Sequence, residues 1–335
     1  MKKKGILLIN LGTPNHYHSS SVRRYLKEFL NDPRVIDLPV MFRWPLVNLA
    51  IIPLRYRKTA AAYQKIWMNE GSPLLVLMRQ LTHLLSLELG EDYQVEMGMR
   101  YGNPSIQASL EKLSALDSLS IIPLFPQYAS AATGSAIEKT IKVLATQWNI
   151  PHISIRKDFY SHPDFIAALA DSIHHAIRDQ CIDLLLFSYH GLPQRHLQKS
   201  HCQFNCKADH ACTIMTTSNA YCYRAQCYAT AQLVAQKLNL TPDQYCVAFQ
   251  SRLGRTPWIK PYTDLLLPQL IQQGKKHIAV VSPSFVVDCL ETLEEINIRT
   301  RQQWHALGGR AFTFIPCLNT SPRWIKTLSA LVKEK

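Results

Sequence analysis

Two short segments place titratable side chains where chemistry could use them. The run Leu184-Leu185-Leu186-Phe187-Ser188-Tyr189 is apolar, of strand length, and breaks at His190-Gly191-Leu192-Pro193. A strand this apolar is buried on both faces, as in a parallel α/β sheet. Ligands of such sheets bind outside the carboxyl ends of the strands. His190 therefore stands where a fold of this type does its chemistry, and a neutral imidazole there can accept a proton near neutral pH or ligate a metal. The competing use is local, a histidine that closes a strand with a hydrogen bond. The second segment follows another strand-like run, Ile278-Ala279-Val280-Val281, and contains Asp288, Glu291 and Glu295. On an α-helix these three share one face at i, i+3 and i+7. Acidic residues in a first helical turn complement the helix dipole. That accounts for Asp288 but not for carboxylates continuing to Glu295.

Parallel strands must carry these groups. Eight strand-like runs are legible, at residues 6–11, 95–100, 121–125 and 153–155, then 184–189, 247–250, 278–281 and 312–315. Amphipathic stretches such as 105–116 and 166–178 separate them, and 322–335 reads as a terminal helix. Alternating strand and helix predicts parallel sheets flanked by helices. Two sets of four predict two similar Rossmann-like lobes joined near residues 145–160. No G-x-G-x-x-G follows the first strand, which counts against a dinucleotide enzyme. Thr133-Gly134-Ser135 is too short and too poor in glycine to cradle a nucleotide phosphate.

At 335 residues the chain is long enough for two domains, and 47% hydrophobic residues fit a globular protein. A formal net charge of +13 draws it toward anionic partners. No Lys/Arg-rich run with interleaved aromatics suggests a nucleic-acid groove. The apolar stretch behind Met1-Lys2-Lys3-Lys4 is too short for a secretory signal, and no run reaches the length of a membrane span. The expected location is the cytoplasm, where nine cysteines serve as thiols or metal ligands rather than disulfides. Residues 40–57 are apolar and aromatic, broken by Pro45 and Pro53 and flanked by arginines. Such a segment suits an interface; the other reading is a buried core helix.

Taken together, the motifs resemble the ferrochelatases over nearly the whole chain. The resemblance is carried by Asn10-Leu11-Gly12-Thr13-Pro14, Glu70-Gly71-Ser72-Pro73-Leu74, Gly98-Met99-Arg100-Tyr101-Gly102, Pro123-Leu124-Phe125-Pro126-Gln127-Tyr128, Ser188-Tyr189-His190-Gly191-Leu192-Pro193, Phe249-Gln250-Ser251-Arg252-Leu253-Gly254, and Asp288-Cys289-Leu290-Glu291-Thr292-Leu293-Glu294-Glu295. It implies a chelatase-like fold and a lyase that inserts Fe2+ into protoporphyrin IX, with His190 and Glu291 as a facing catalytic and iron-contacting pair. Asp288 and Glu295 would form a track for protons or metal. Leu11, Arg100, Tyr101, Gln127, Tyr128, Ser130 and Trp258 match pocket positions. Arg100 could instead pair with a structural carboxylate, and Trp258 could be cleft wall. Residues 1–150 would form one lobe and 151–320 the other, with 321–335 packing back near the first. Residues 40–57 would be a lip over the porphyrin pocket, able to dip into the inner face of the membrane. Coproporphyrin, another tetrapyrrole metalation, and a non-catalytic tetrapyrrole or metal carrier are the alternatives.

Residues 201–227 hold Cys202, Cys206, Cys212, Cys222 and Cys227. Their spacing does not match paired C-x2-C zinc sites. By resemblance to bacterial ferrochelatases with a cysteine insert, the first four would ligate a [2Fe–2S] cluster. His201 and His210 keep zinc open as the alternative.

Overall fold

The computed structural model describes residues 4–114, 116–200, 212–254 and 256–334. The chain divides into two compact units. The first comprises Met1–Phe125, Ala129–Asp158 and Asn319–Lys335, and the second Pro126–Tyr128 and Phe159–Leu318. In the first, β1 (Lys4–Thr13), β2 (Tyr93–Gly102), β3 (Ser118–Pro123) and β4 (His152–Ile155) form a sheet in the order β2-β1-β3-β4, parallel throughout. In the second, β5 (Leu184–His190), β6 (Tyr245–Gln250), β7 (His277–Val281) and β8 (Ala311–Phe314) repeat that pattern as β6-β5-β7-β8. All eight apolar runs become strands, and the two similar parallel sheets flanked by helices are those the sequence predicts.

Burial explains why the runs are so apolar. Leu7, Leu8 and Ile9 of β1, and Leu185, Leu186 and Phe187 of β5, have no exposed surface, although neighbours along a strand point to opposite faces. Each central strand is covered on both sides. In the first unit the helix Pro73–Leu89 begins with Ser72, whose hydroxyl accepts from the Leu75 N–H, and with Pro73 in the first turn. The terminal helix Pro322–Lys333 packs on it through a face that includes fully buried Trp324 and Leu328.

Residues 40–57 are not core. A helix Val40–Pro45, a π-helical stretch Leu46–Ile51 and a helix Ile52–Ile66 follow one another. Phe42, Trp44, Leu49 and Leu54 are 61%, 52%, 69% and 83% exposed, while Val47 and Ile52 anchor the segment inward. Among the described residues no helix is long and apolar enough to cross a membrane.

One element departs from expectation. The carboxylate-bearing stretch Glu291–Thr300 is π-helical, not α-helical. Its wider turn keeps Glu291 and Glu295 about one turn apart. Asp288 lies ahead of it and follows a different course.

Candidate active site

In the strand order β6-β5-β7-β8 the chain leaves β5 for one neighbour and returns to the other. The ends of β5 and β7 therefore flank a topological switch point, where open α/β sheets bind ligands. His190 is the last residue of β5. Its Nδ1 lies 2.6 Å from the Gly191 carbonyl oxygen. A carbonyl only accepts, so Nδ1 carries the hydrogen, and in the neutral ring Nε2 keeps a bare lone pair. The backbone that aims the ring is crowded. A Cβ on Gly191 would stand 2.7 Å from the Gln250 carbonyl oxygen and 3.3 Å from Cε3 of Trp258, so the residue after the histidine has to be glycine. The Phe285 ring approaches the imidazole edge-on at 6.1 Å.

The acids arrive from the segment after β7. Buried Gln250, paired with His190 in the sheet, donates from Nε2 to the Glu291 carbonyl at 3.4 Å and accepts from Ser188 Oγ at 2.7 Å. Ser188 in turn bonds Thr263. This chain ties the end of β6 to the start of the π-helix. Glu295 accepts from the Ser251 N–H at 3.0 Å and from its hydroxyl. Ser251 has φ 66°, a left-handed conformation uncommon outside glycine, and the two bonds to Glu295 help to hold it. Burial raises the Glu295 carboxyl above the usual carboxylate range, and the Glu291 charge adds to this. Ser251, Arg299 and His190 pull the other way. Glu295 thus feels the charges of both Glu291 and His190. Asp288, 4% exposed, accepts from Thr292 Oγ1 at 2.8 Å and from the Cys317 N–H at 3.3 Å. The first serves the local turn, and the second ties it to a segment 29 residues further on.

The other expected positions fall in both units. In the second, Gln127 is buried and donates to Thr230 at 3.0 Å, and the Tyr128 N–H donates to Gln226 at 2.7 Å. Trp258 Nε1 donates to the Leu253 carbonyl at 2.8 Å, and the ring covers Gly191. In the first unit, Leu11 is half-buried at the end of β1, and Ser130 is exposed and accepts from Arg34 at 2.8 Å. Arg100 pairs at 2.5 Å with buried Asp32, the structural carboxylate that the sequence left open. Tyr101 has no exposed surface, and its hydroxyl bonds Asp32 at 2.9 Å and Ser135 at 3.2 Å. Burial, with the Asp32 charge, raises its pKa far above the ordinary phenol value. Its ring belongs to the core of that unit, not to an open wall.

Of the four expected cluster cysteines, Cys202 and Cys206 lie outside the described residues. Cys222 is buried and caps the helix Tyr223–Lys237, and Cys212 accepts from Arg224 at 3.3 Å. Among the described residues no group of three or more His, Cys, Asp and Glu side chains could hold a metal ion.

Comparison with known proteins identifies the family. The ferrochelatase family model matches residues 3–335. A ferrochelatase of Legionella pneumophila (strain Philadelphia 1) is 52% identical over 333 residues, covering 99% of both chains. One of Coxiella burnetii (strain Dugway 5J108-111) is 48% identical over 335 residues, 99% of this chain and 94% of its own. Among solved structures, SirB of Bacillus subtilis with Fe3+ superposes at a TM-score of 0.53 with 12% identity, covering 99% and 95%. DR2241 of Deinococcus radiodurans, a multi-domain protein similar to chelatases, matches at 0.53 with 12% identity; this chain spans 55% of its length. These two likenesses concern the fold. The family model and the curated relatives cover the chain end to end, and the chain belongs to the ferrochelatase family.

Proposed function

We propose that the chain inserts Fe2+ into protoporphyrin IX, with His190 and Glu291 as the reacting pair. The observation that carries this reading is the hydrogen bond from His190 Nδ1 to the Gly191 carbonyl at the switch point, which leaves Nε2 bare, with the Glu295 carboxyl within electrostatic reach of the ring. Porphyrin metalation replaces two pyrrole N–H protons with a divalent metal. A flat macrocycle hides its nitrogen lone pairs, so the ring has to be bent while iron arrives and protons leave. Nε2 of His190 takes a pyrrole proton, and Glu291 serves the second proton or the metal. Glu295, raised above the ordinary carboxylate range, can hold a proton in transit. Asp288 extends the track. Gln127, Tyr128, Trp258, Leu11, Ser130 and Arg100 are read as pocket residues, and Tyr101 as a support beneath Arg100.

Anaerobic Fe2+ insertion by the purified protein, followed by loss of porphyrin fluorescence, tests the reading. Turnover with protoporphyrin IX that falls by about 100-fold or more in His190→Ala is the expected result. Turnover confined to coproporphyrin would move the substrate, and undiminished turnover in His190→Ala would overturn the residue assignment.

Two further readings accompany it. The exposed apolar residues of 40–57, flanked by Arg43, Arg55 and Arg57, suit a peripheral contact with an anionic membrane surface, such as the inner face of the cytoplasmic membrane. Cys202, Cys206, Cys212 and Cys222 are read as ligands of a [2Fe–2S] cluster. The support is Arg224, a buried guanidinium that donates to Cys212 Sγ and so sets a fixed positive charge beside one cysteine of the set. When bound, the cluster would crosslink residues 201–227.

A further inference from the structure

The hydrogen-bond ladder around His190 is one-sided. Toward β6 it runs to the last residue, pairing His190 with Gln250, but toward β7 it stops at Phe187 and Val281. A backbone N–H or C=O buried without a partner carries a free-energy penalty. Two hydroxyls fill the gap. The His190 N–H donates to Ser284 Oγ at 2.9 Å, and the Tyr223 hydroxyl donates to the His190 carbonyl at 2.8 Å. Both hydroxyls thus serve the backbone of one residue, one on its N–H and one on its carbonyl. Both residues are buried, Ser284 8% and Tyr223 5% exposed. The Gly191 N–H donates to the Gln250 carbonyl at 2.8 Å, and the Gly191 carbonyl takes the His190 Nδ1 hydrogen. All four backbone polar groups of residues 190 and 191 are therefore spoken for. The imidazole is aimed by the Gly191 carbonyl, and that carbonyl by the backbone that the two hydroxyls hold. The Cys227 thiol also touches the Tyr223 hydroxyl, but burial pushes its pKa well up and keeps it a neutral, weak partner.

We propose that Tyr223 and Ser284 are positioning residues for metal insertion, holding the backbone of residue 190 so that Nε2 of His190 keeps one direction. This rests on His190 as the reacting imidazole. Nothing in the apolar walls or the carboxylates depends on these hydroxyls, so their loss should leave porphyrin binding alone and misplace the base. A misplacement of about 1 Å costs on the order of 100-fold in rate.

The test uses the full chain with Tyr223→Phe, Ser284→Ala, Ser284→Thr and the Tyr223→Phe/Ser284→Ala double variant, and repeats Tyr223→Phe in a His190→Ala background. Fe2+ insertion into protoporphyrin IX gives kcat and KM, fluorescence gives porphyrin affinity, and thermal unfolding gives the folded fraction. Tyr223→Phe and Ser284→Ala should lower kcat roughly 10- to 100-fold with KM and porphyrin affinity held. The double variant should fall by less than the product of the two single losses, because both hydroxyls hold the backbone of one residue. Ser284→Thr, which keeps the hydroxyl, should recover most of the loss. In the His190→Ala background Tyr223→Phe should change nothing more. A normal kcat in folded Tyr223→Phe, or the same fractional loss without His190, overturns the proposal. If Ser284→Ala does not fold, Tyr223→Phe, which removes one oxygen, decides alone. Full activity in His190→Ala would instead overturn the assignment of the base, a result distinct from failure of the positioning variants.

Discussion

The role proposed for His190 depends on an atom the residue does not contain. The Gly191 carbonyl takes the Nδ1 hydrogen and so leaves Nε2 available, and Gly191 must be glycine because β6 and Trp258 press on it. Removing the imidazole deletes a reacting group and no apolar surface that a porphyrin would need. His190→Ala should therefore lower kcat by about 100-fold or more, in the range of general acid–base catalysis, with porphyrin affinity nearly unchanged; equal losses in both would show a binding residue. Glu295 gives a prediction in pH. Its folded-state pKa is raised, so the native protein binds that proton more tightly than the unfolded chain does. Its ionisation thus opposes folding. The penalty is absent at acid pH, begins above the ordinary glutamate value of about 4.3, and grows as pH rises through the folded value. Glu295→Gln cannot ionise and keeps an oxygen for Ser251. It should match the wild type in Tm near about pH 4 and exceed it near about pH 8; a difference that is flat with pH would refute the buried-carboxylate account.

At the scale of elements, what could be read in advance depended on whether a signal was local. A parallel strand buried on both faces writes itself as an unbroken apolar run, so all eight strands were legible, and His190 could be set at the end of one. The π-helix could not be read, because Asp288, Glu291 and Glu295 fit an α-helical period equally well on paper. Nor could the partners. Asp32 binds Arg100 from 68 positions away, and Ser284 binds His190 from 94. The fold creates those contacts, and a single sequence carries no trace of them. Residues 40–57 read as interface or as core, and their exposure excludes the core. Phe42, Trp44, Leu49 and Leu54 point outward with little apolar cover. Replacing Trp44 and Leu54 with serine should weaken binding to anionic liposomes in sedimentation while leaving Tm within about 2 °C, since exposed sites contribute little to stability. In the wild type, raising salt should release part of the bound protein, the part held by arginines, while buried apolar side chains hold the rest. Complete release by salt would mean that the apolar side chains stay in water.

Across the whole molecule the same four-strand order serves twice, and only the second unit carries the histidine, the π-helical acids and the cysteine-bearing stretch. A [2Fe–2S] cluster held by that stretch would act on the fold before it acted on any reaction. Four ligands closing on one centre form a crosslink, and a crosslink lost destabilises whatever it closed. Cys222 caps the helix Tyr223–Lys237 from within the core, and Tyr223 touches His190. Slack in the cysteine segment would therefore reach the strand that ends in His190 through one residue. Cys206→Ser should abolish the visible absorption of anaerobically purified protein, lower its recovery, and reduce kcat more than porphyrin affinity. Cys227→Ser should leave the colour in place, because that thiol faces Tyr223 in the core instead of joining the ligand set. A colourless wild type carrying one equivalent of zinc, bound with His201 or His210, would replace the cluster with a zinc site. A coloured Cys206→Ser protein of normal yield would remove Cys206 from the ligands altogether.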